Sequence, residues 1–274
     1  MGHYIEVEPN VNVYVRDTGE GPAVLLLHGW PLNHAMFEYQ ITALTRRGFR
    51  VVALDQRGFG RSDAPAAGYG YDRLADDVRA VIDRLQLDNA ALVGFSVGGA
   101  IATRYMARHA GHGIARLALL GAAAPLFTQR DGYPHGMTKD EVNEQLQALQ
   151  SDRPAFLKEF GSLFLENADG SISEPFQQWL HQLGLQASAW GTVGTLETLR
   201  DEDLREDLTR IGSVDTVIFH GALDKICVPE LAVSQQQAIP GARLVTFERS
   251  GHGMLFDEPD KFNEELLAFL STKS

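Results

Sequence analysis

Strand-type and helix-type patterns of hydrophobic residues alternate along this chain, and together they predict its secondary structure. Near the N-terminus, YIEV (4–7) and VNVYVRD (11–17) alternate apolar and polar residues around Pro9 and Asn10. This period of two is typical of a hairpin with one exposed face. Further along, the apolar runs are short and continuous, which is typical of strands buried on both faces of a parallel sheet. These runs lie at 23–27, 50–54, 90–94, 115–120, 215–219 and 243–247.

Helical periodicity fills most of the intervals between these runs. Clear examples are YDRLADDVRAVIDRLQL (71–87), VGGAIATRYMARHA (97–110) and PDKFNEELLAFL (259–270). Strands that alternate with helices form a mostly parallel sheet covered on both faces, so the pattern predicts a doubly wound α/β fold. Together with the N-terminal hairpin, it predicts a sheet of eight strands flanked by helices.

One long interval contains no strand pattern. Between about 124 and 214 the chain shows only helical segments, at 138–150, 153–165, 174–186 and 195–208. A simple crossover between parallel strands needs far fewer residues than this interval provides. We therefore expect a helical cap over residues 125–212, inserted into an α/β core formed by residues 1–124 and 213–274.

Composition and charge narrow the classes of function. Among 274 residues, 36 are acidic and 24 are basic, which gives a formal net charge of −12. This charge, without a basic stripe, argues against a nucleic-acid partner. We see no signal peptide, no bilayer-spanning apolar run, and no myristoylation pattern because Glu6 stands where Ser or Thr is needed. The single cysteine, Cys227, excludes an internal disulfide. We therefore expect a cytoplasmic protein that binds no membrane.

A serine between glycines follows one of the predicted strands. Residues 94–98 read GFSVG, the pattern G-x-S-x-G, and they join the buried strand 90–94 to a helix. In a nucleophile elbow, a sharp strand-to-helix turn projects the serine hydroxyl, and glycines avoid clashes with neighbouring chains. The alternative is a small-residue packing motif, which is common when the pattern stands alone. The position between strand and helix favours Ser96 as a nucleophile.

A serine hydroxyl needs a base and an orienting acid before it can attack a carbonyl. Asp224 lies a few residues after strand 215–219, and His252 lies between two glycines after strand 243–247. The order Ser, Asp, His along the chain is the order expected of an α/β hydrolase. The sequence therefore predicts a catalytic triad of Ser96, Asp224 and His252.

Other acids and histidines compete for these roles. Asp215 and Asp257 do not follow the carboxyl end of a strand in the required order. We expect three histidines to lie in loops and to hold backbone groups there: His28, His112 and His220.

Two backbone N–H groups are candidates for an oxyanion hole. The first buried strand ends in LLLHGWPLN (25–33), where a glycine after the strand lets the N–H of Trp30 point into the site. The second donor would be the N–H of Val97, which directly follows Ser96 at a helix N-terminus. The alternative interpretation of His-Gly-Trp is an ordinary tight turn in which the aromatic side chain only fills space.

Five motifs occur in the order in which the α/β-hydrolase superfamily carries them, and the chain resembles that family over nearly its whole length. They are HGW (28–30), DQRGFGRSD (55–63), GFSVGG (94–99), HGALDKICVP (220–229) and SGHGM (250–254). Within the superfamily, the chain resembles the branch of bacterial arylesterases and cofactor-free non-haem haloperoxidases, which are perhydrolases. The resemblance implies an α/β-hydrolase fold in which the helical insertion is the cap.

The resemblance also separates structural from chemical residues. It implies that Arg57 and Ser62, in the motif DQRGFGRSD, hold turns. Dehalogenases and epoxide hydrolases of this fold carry Asp at the nucleophile position, so Ser96 argues against both. In the resembling branch, a proline at the position of Pro31 is associated with accepting hydrogen peroxide in place of water. Proline fixes its own φ and contributes no donor, so it changes which loop carbonyl faces the acyl-enzyme.

These observations predict a serine hydrolase for small aryl or short-chain acyl esters that needs no metal or organic cofactor. Trp30 and Phe95 lie beside the chemistry by sequence, and four further pocket positions are implied by the resemblance: Phe127, Phe160, Phe164 and Ile226. An aromatic stripe in the insertion is otherwise typical of a cap core. A ligand-sensing signalling protein with a partner stays an alternative, as do lactonase, lactamase and carbon–carbon hydrolase activities. The sequence leaves open whether the chain forms a homo-oligomer.

Overall fold

The structure, a computed structural model, describes residues 2–166 and 172–272. Eight strands form one sheet in the spatial order β1-β2-β4-β3-β5-β6-β7-β8. The first two pairings, β1 with β2 and β2 with β4, are antiparallel, and all the others are parallel. The strands are β1 (Gly2–Glu8), β2 (Val11–Thr18), β3 (Ala23–Leu27), β4 (Arg50–Leu54), β5 (Ala90–Phe95), β6 (Ile114–Leu120), β7 (Asp215–Gly221) and β8 (Arg243–Phe247). The predicted mostly parallel, eight-stranded sheet is confirmed.

Helices cover both faces of this sheet. Within the described residues, a short 3₁₀ helix at His34–Phe37 precedes the first α-helix. The α-helices are α1 (Glu38–Arg46), α2 (Tyr71–Leu85), α3 (Val97–Arg108), α4 (Lys139–Ser151), α5 (Arg153–Gly161), α6 (Glu174–Leu185), α7 (Ala189–Asp201), α8 (Arg205–Thr209), α9 (Pro229–Ala238), α10 (Met254–Asp257) and α11 (Pro259–Ser271).

The interval without strands contains α4 to α8, all placed between β6 and β7. The sequence predicts a single helix over 195–208, and this prediction is wrong in its bounds. Helix α7 begins earlier because the Ser188 side chain caps it by accepting from Gly191 N at 2.9 Å. It ends at Asp201 because Glu202 adopts an extended conformation, with φ −79° and ψ 148°. Charge periodicity alone could not reveal this break.

The order of the central strands places a crevice at one edge of the sheet. The chain leaves β3 to form β4 on one side and then returns to form β5 on the other. In open α/β sheets, ligands bind outside the carboxyl ends of the strands where the order reverses in this way. Leu27, the last residue of β3, pairs with Gly94 near the end of β5. The loops that follow these two strands therefore meet at the crevice.

Candidate active site

Ser96 stands at the turn between β5 and α3 in a left-handed conformation, with φ 56° and ψ −119°. A non-glycine residue adopts such a φ only when its surroundings hold it there. Its N–H donates to Leu120 O at 2.8 Å, and its carbonyl accepts from Gly99 N at 2.9 Å and Ala123 N at 3.0 Å. These bonds fix the backbone of the turn and leave the side chain to project from it.

Neighbouring backbone leaves no room for side chains on either side of this serine. A Cβ added at Gly94 would lie 2.4 Å from the carbonyl oxygen of Gly98, and one added at Gly98 would lie 2.4 Å from Leu27 O. Both distances are far shorter than a van der Waals contact. The two glycines of G-x-S-x-G are thus required by close backbone approach.

His252 and Asp224 form a direct pair at the same edge of the sheet. The distance from His252 Nδ1 to Asp224 Oδ2 is 2.7 Å. The other carboxylate oxygen of Asp224 accepts from Ile226 N at 2.8 Å and Cys227 N at 2.9 Å. Burial by itself would raise the pKa of Asp224, but its attraction to His252 and these hydrogen bonds lower the pKa below its ordinary value. An ionised Asp224 orients the imidazole through Nδ1 and leaves Nε2 to exchange protons.

Aromatic rings hold the imidazole beside the serine turn. The ring centroid of Phe95, the residue before Ser96, lies 4.8 Å from that of His252. Phe164 packs edge-on against His252 at 5.5 Å and an interplanar angle of 88°. The side chain of His252 is almost completely buried. His252 therefore packs against the residue that precedes Ser96, within one buried cluster.

The turn after β3 lies against the serine as well. A Cβ added at Gly29 would lie 3.0 Å from Ser96 Cβ, so the turn that contains Trp30 lies against the nucleophile. His28 braces this turn: its Nδ1 lies 3.0 Å from Gly29 O, and its Nε2 accepts from Gln56 N at 3.0 Å. Burial lowers the pKa of His28 to about 4, which keeps the ring neutral and able to accept.

Val97, the other predicted donor, is the first residue of α3. The first N–H groups of a helix have no carbonyl partner within the helix. They carry the positive end of the helix dipole, which favours a developing negative charge. Trp30 and Val97, the two residues predicted to donate to an oxyanion, thus belong to the two elements that meet at Ser96.

A narrow apolar pocket adjoins Ser96. About 10 Å³ of it is open to the centre of a water molecule, which is roughly the room that a single water needs. Its lining residues are Trp30, Ser96, Ala123, Phe127, Gln145, Phe160, Leu196, Leu199 and Ile226.

Four of the six predicted substrate-binding residues line this pocket together: Trp30, Phe127, Phe160 and Ile226. The rings of Trp30 and Phe160 pack edge-to-face at 5.0 Å, and Trp30 Nε1 donates to Thr192 O of α7 at 3.1 Å. The remaining two, Phe95 and Phe164, do not line this pocket and pack against His252 instead.

Sequence reasoning missed the cap residues Gln145, Leu196 and Leu199. They lie on α4 and α7, and no motif marks them. The periodicity of these helices shows which face is buried, but it does not show that this face meets the serine turn.

The structure also shows the contacts of four residues that were expected to have structural rather than chemical roles. His220 lies at the end of β7 rather than in a loop, and its Nε2 is 2.7 Å from Cys227 O. His112 does lie in a turn, where its carbonyl accepts from Tyr105 Oη at 2.6 Å. Ser62 holds a turn by donating to Asp55 O at 2.5 Å. Arg57 instead binds Asp77 at 2.6 Å and Glu8 at 2.7 Å, so it joins separate elements.

A sheet of this topology, with a strained serine after β5 and an Asp–His pair after β7 and β8, defines the α/β hydrolases. The family of the alpha/beta hydrolase fold matches residues 22–259. The chain belongs to this family, and the resemblance found in the sequence is confirmed.

Individual relatives cover the whole chain. An esterase (EaEST) from Exiguobacterium antarcticum is 47% identical, with a TM-score of 0.96, over 99% of this chain and 100% of that one. A bromoperoxidase from Bacillus anthracis is 31% identical, with a TM-score of 0.95, over 99% and 100%. A bifunctional esterase/perhydrolase from Acinetobacter calcoaceticus is 30% identical over 97% of this chain and 99% of its own. These similarities support a hydrolase. No described helix is both long and apolar enough to cross a membrane.

Proposed function

We propose that this protein is a serine hydrolase that cleaves carboxylic esters through an acyl-enzyme. The observation that carries the proposal is the 2.7 Å pair of His252 and Asp224, buried beside a serine held at positive φ. A hydroxyl presented in this way, next to an oriented imidazole, is the arrangement that nucleophilic acyl transfer needs.

Each group then has one role. Ser96 Oγ attacks the ester carbonyl while His252 Nε2 takes its proton, and Asp224 stabilises the imidazolium. The N–H groups of Trp30 and Val97 receive the oxyanion, and the loss of one such donor typically raises a barrier by about 3–4 kcal/mol. His252 then protonates the leaving alcohol. Finally, it takes a proton from a water molecule that attacks the acyl-enzyme and releases the acid.

The pocket favours short, uncharged acyl groups. Its walls are mostly aromatic and aliphatic, and it has room for about one water molecule. A charged group would lose its hydration there without gaining an ionic partner. Esters with short acyl chains and aryl or alkyl alcohols are therefore the proposed substrates.

Hydrogen peroxide is the proposed second acceptor of the acyl group. Pro31 directly follows the oxyanion donor Trp30, and its neighbour Leu32 donates back to Gly29 O at 2.9 Å, which closes a tight turn. A similar protein is named for both esterase and perhydrolase activity. Attack by peroxide in place of water would convert the acyl-enzyme into a peracid and restore Ser96.

Hydrolysis of p-nitrophenyl acetate tests the proposal. Ser96→Ala should lower kcat by about 10⁴-fold or more, because the covalent route is lost. Ser213→Ala, a change on the exposed surface, is the matched control and should keep wild-type turnover. Turnover by Ser96→Ala at the wild-type rate would exclude the assigned nucleophile. If the wild-type protein binds a ligand tightly but turns over no ester or lactone, the result would instead favour the alternative of a ligand-sensing signalling protein.

The same assay with added peroxide tests the second acceptor. Peracid formation that depends on Ser96 would support it. If esters are cleaved and no peracid forms, the protein is a simple esterase and the role given to Pro31 is wrong.

A further inference from the structure

Gln145 is the one amide side chain in the lining of the pocket beside Ser96. Apart from the Ser96 hydroxyl, the polar groups of that lining are this amide and the indole N–H of Trp30. The indole N–H is already bound to Thr192 O. The amide of Gln145 is therefore the polar side-chain group that a substrate in this pocket would meet besides the nucleophile.

The protein itself leaves this amide weakly bound. Among the described contacts, its Nε2 lies 3.6 Å from Met137 Sδ, and a thioether is a weak acceptor. Gln145 is partly buried on α4, within a wall formed otherwise by Phe127, Phe160 and the leucines of α7. The amide therefore keeps hydrogen-bonding capacity that water or a ligand can take up.

The space in the pocket fits such a partner. About 10 Å³ of it is open to the centre of a water molecule, which is roughly the room that one water needs. A substrate oxygen that takes this place preserves the hydrogen bond, whereas a methylene group in the same place removes it. The amide thus discriminates between substrates of equal size by a single atom.

The acyl part of the ester is the part that reaches Gln145. The leaving oxygen must lie near His252, which protonates it, and within the described residues His252 does not line this pocket. His252 instead packs against Phe95 and Phe164. With the carbonyl between Ser96 and the oxyanion donors, the alcohol extends toward Phe164 and a short acyl chain extends toward the pocket, where a group of about the size of one water can lie beside Gln145.

We infer that Gln145 is a specificity residue that selects esters whose short acyl group carries a second oxygen, such as an ether or hydroxyl, a few bonds from the scissile carbonyl. This inference rests on the proposed esterase function and refines its substrate class. It assigns Gln145 no part in bond making or breaking.

Two pairs of isosteric esters test the inference. In the first pair, p-nitrophenyl methoxyacetate differs from p-nitrophenyl butyrate only by an oxygen in place of one acyl methylene. In the second pair, 2-methoxyethyl acetate differs from butyl acetate by the same exchange in the alcohol. The ratio of kcat/KM within each pair is measured for the wild type, Gln145→Leu and Gln147→Leu. Gln147 is exposed on the same helix and serves as the matched control.

Gln145→Leu should lower the methoxyacetate-to-butyrate ratio by about tenfold relative to the wild type, as expected for one lost hydrogen bond in a desolvated site. The ratio in the alcohol pair should not change, and Gln147→Leu should leave both ratios at their wild-type values. The two esters of a pair differ in intrinsic reactivity, but this difference is the same for every variant and therefore cancels when the ratios of the variants are compared. A general folding defect would lower both members of a pair together.

Each other outcome overturns the inference in a recognisable way. If Gln145→Leu leaves the acyl ratio unchanged while esters are still cleaved, Gln145 does not select oxygen and the esterase function stands. If only the alcohol ratio changes, the pocket holds the alcohol and the assignment of the acyl part is wrong. If the wild type cleaves none of the four esters, the proposed function fails and this inference fails with it.

Discussion

Ser96 occupies its turn because its neighbours have no side chains. The backbone of β3 and the first turn of α3 approach the serine so closely that a methyl group at position 94 or 98 would overlap a carbonyl oxygen. The motif marked both glycines in the sequence, but only the clash at Gly94 arises within the turn itself, whereas the clash at Gly98 comes from the distant strand β3.

Gly98→Ala tests this close packing. Alanine would place its Cβ 2.4 Å from Leu27 O, and backbone of a central strand cannot move away cheaply. We expect a loss of about 3 kcal/mol in the free energy of unfolding and a large loss of esterase activity. The measurement is denaturant unfolding together with turnover.

Gly161→Ala is the control for that variant, since it lies in α5 with open space around its Cα. There the better helix propensity of alanine should raise stability by up to about 1 kcal/mol. Equal stability changes in the two variants would contradict the steric explanation.

At the scale of elements, a segment of the cap is tied to the loop that carries His252. Gly253 N donates to Phe164 O at 2.7 Å. The carboxylate of Asp257, at the end of α10, accepts from Gly251 N at 2.9 Å and from Glu166 N at 3.2 Å. These bonds link residues on either side of His252 to the chain that follows α5. The sequence pattern does not predict this link, because it joins segments that are far apart in the chain.

The titration of Asp257 gives this link a pH dependence. Burial, together with the nearby carboxylates of Glu166 and Glu258, raises the pKa of Asp257 to about 6 despite the two N–H donors. The folded state therefore holds a proton between about pH 4 and pH 6 that the unfolded state has lost. Stability falls as the pH rises through that window and stays lower above it.

Asp257→Asn removes this titration and retains an oxygen for the two N–H groups. The melting temperature of the variant minus that of the wild type should therefore rise from pH 4 to pH 7. Thermal unfolding at several pH values measures it. Asp260→Asn, at an exposed carboxylate on α11, controls for the loss of one negative charge. A difference that is flat across this range would show that Asp257 does not titrate in this way.

At the scale of the whole molecule, two ion pairs that share the buried Arg57 join three distant parts of the chain. Arg57, in the loop after β4, is 1% exposed and binds Asp77 of α2 at 2.6 Å and Glu8 of β1 at 2.7 Å. The resemblance predicted a residue that holds a turn. The structure shows a residue that holds the N-terminal hairpin and a covering helix against the sheet.

Arg57→Met should destabilise the protein by about 3 kcal/mol, because Asp77 would remain buried with only the partly exposed Arg73 as a cationic partner. Denaturant unfolding measures the loss. Arg57→Met combined with Asp77→Leu should recover part of it, since the uncompensated charge is then gone. Arg79→Met breaks the exposed pair with Asp83 and should cost no more than about 0.5 kcal/mol. A comparable loss in both single variants would show that burial does not decide the cost.

What the sequence by itself determined are features that depend on residues close together in the chain. The pattern of hydrophobic residues predicted the eight strands, and the small residues around Ser96 indicated a sharp strand-to-helix turn. The order of the motifs along the chain identified the family. The tertiary structure alone decided which side chains of α4, α5 and α7 meet at Ser96, how little volume they leave, and that Gln145 is among them. Helix packing over the sheet sets those contacts, and their partners are too distant in the chain for any local pattern to encode.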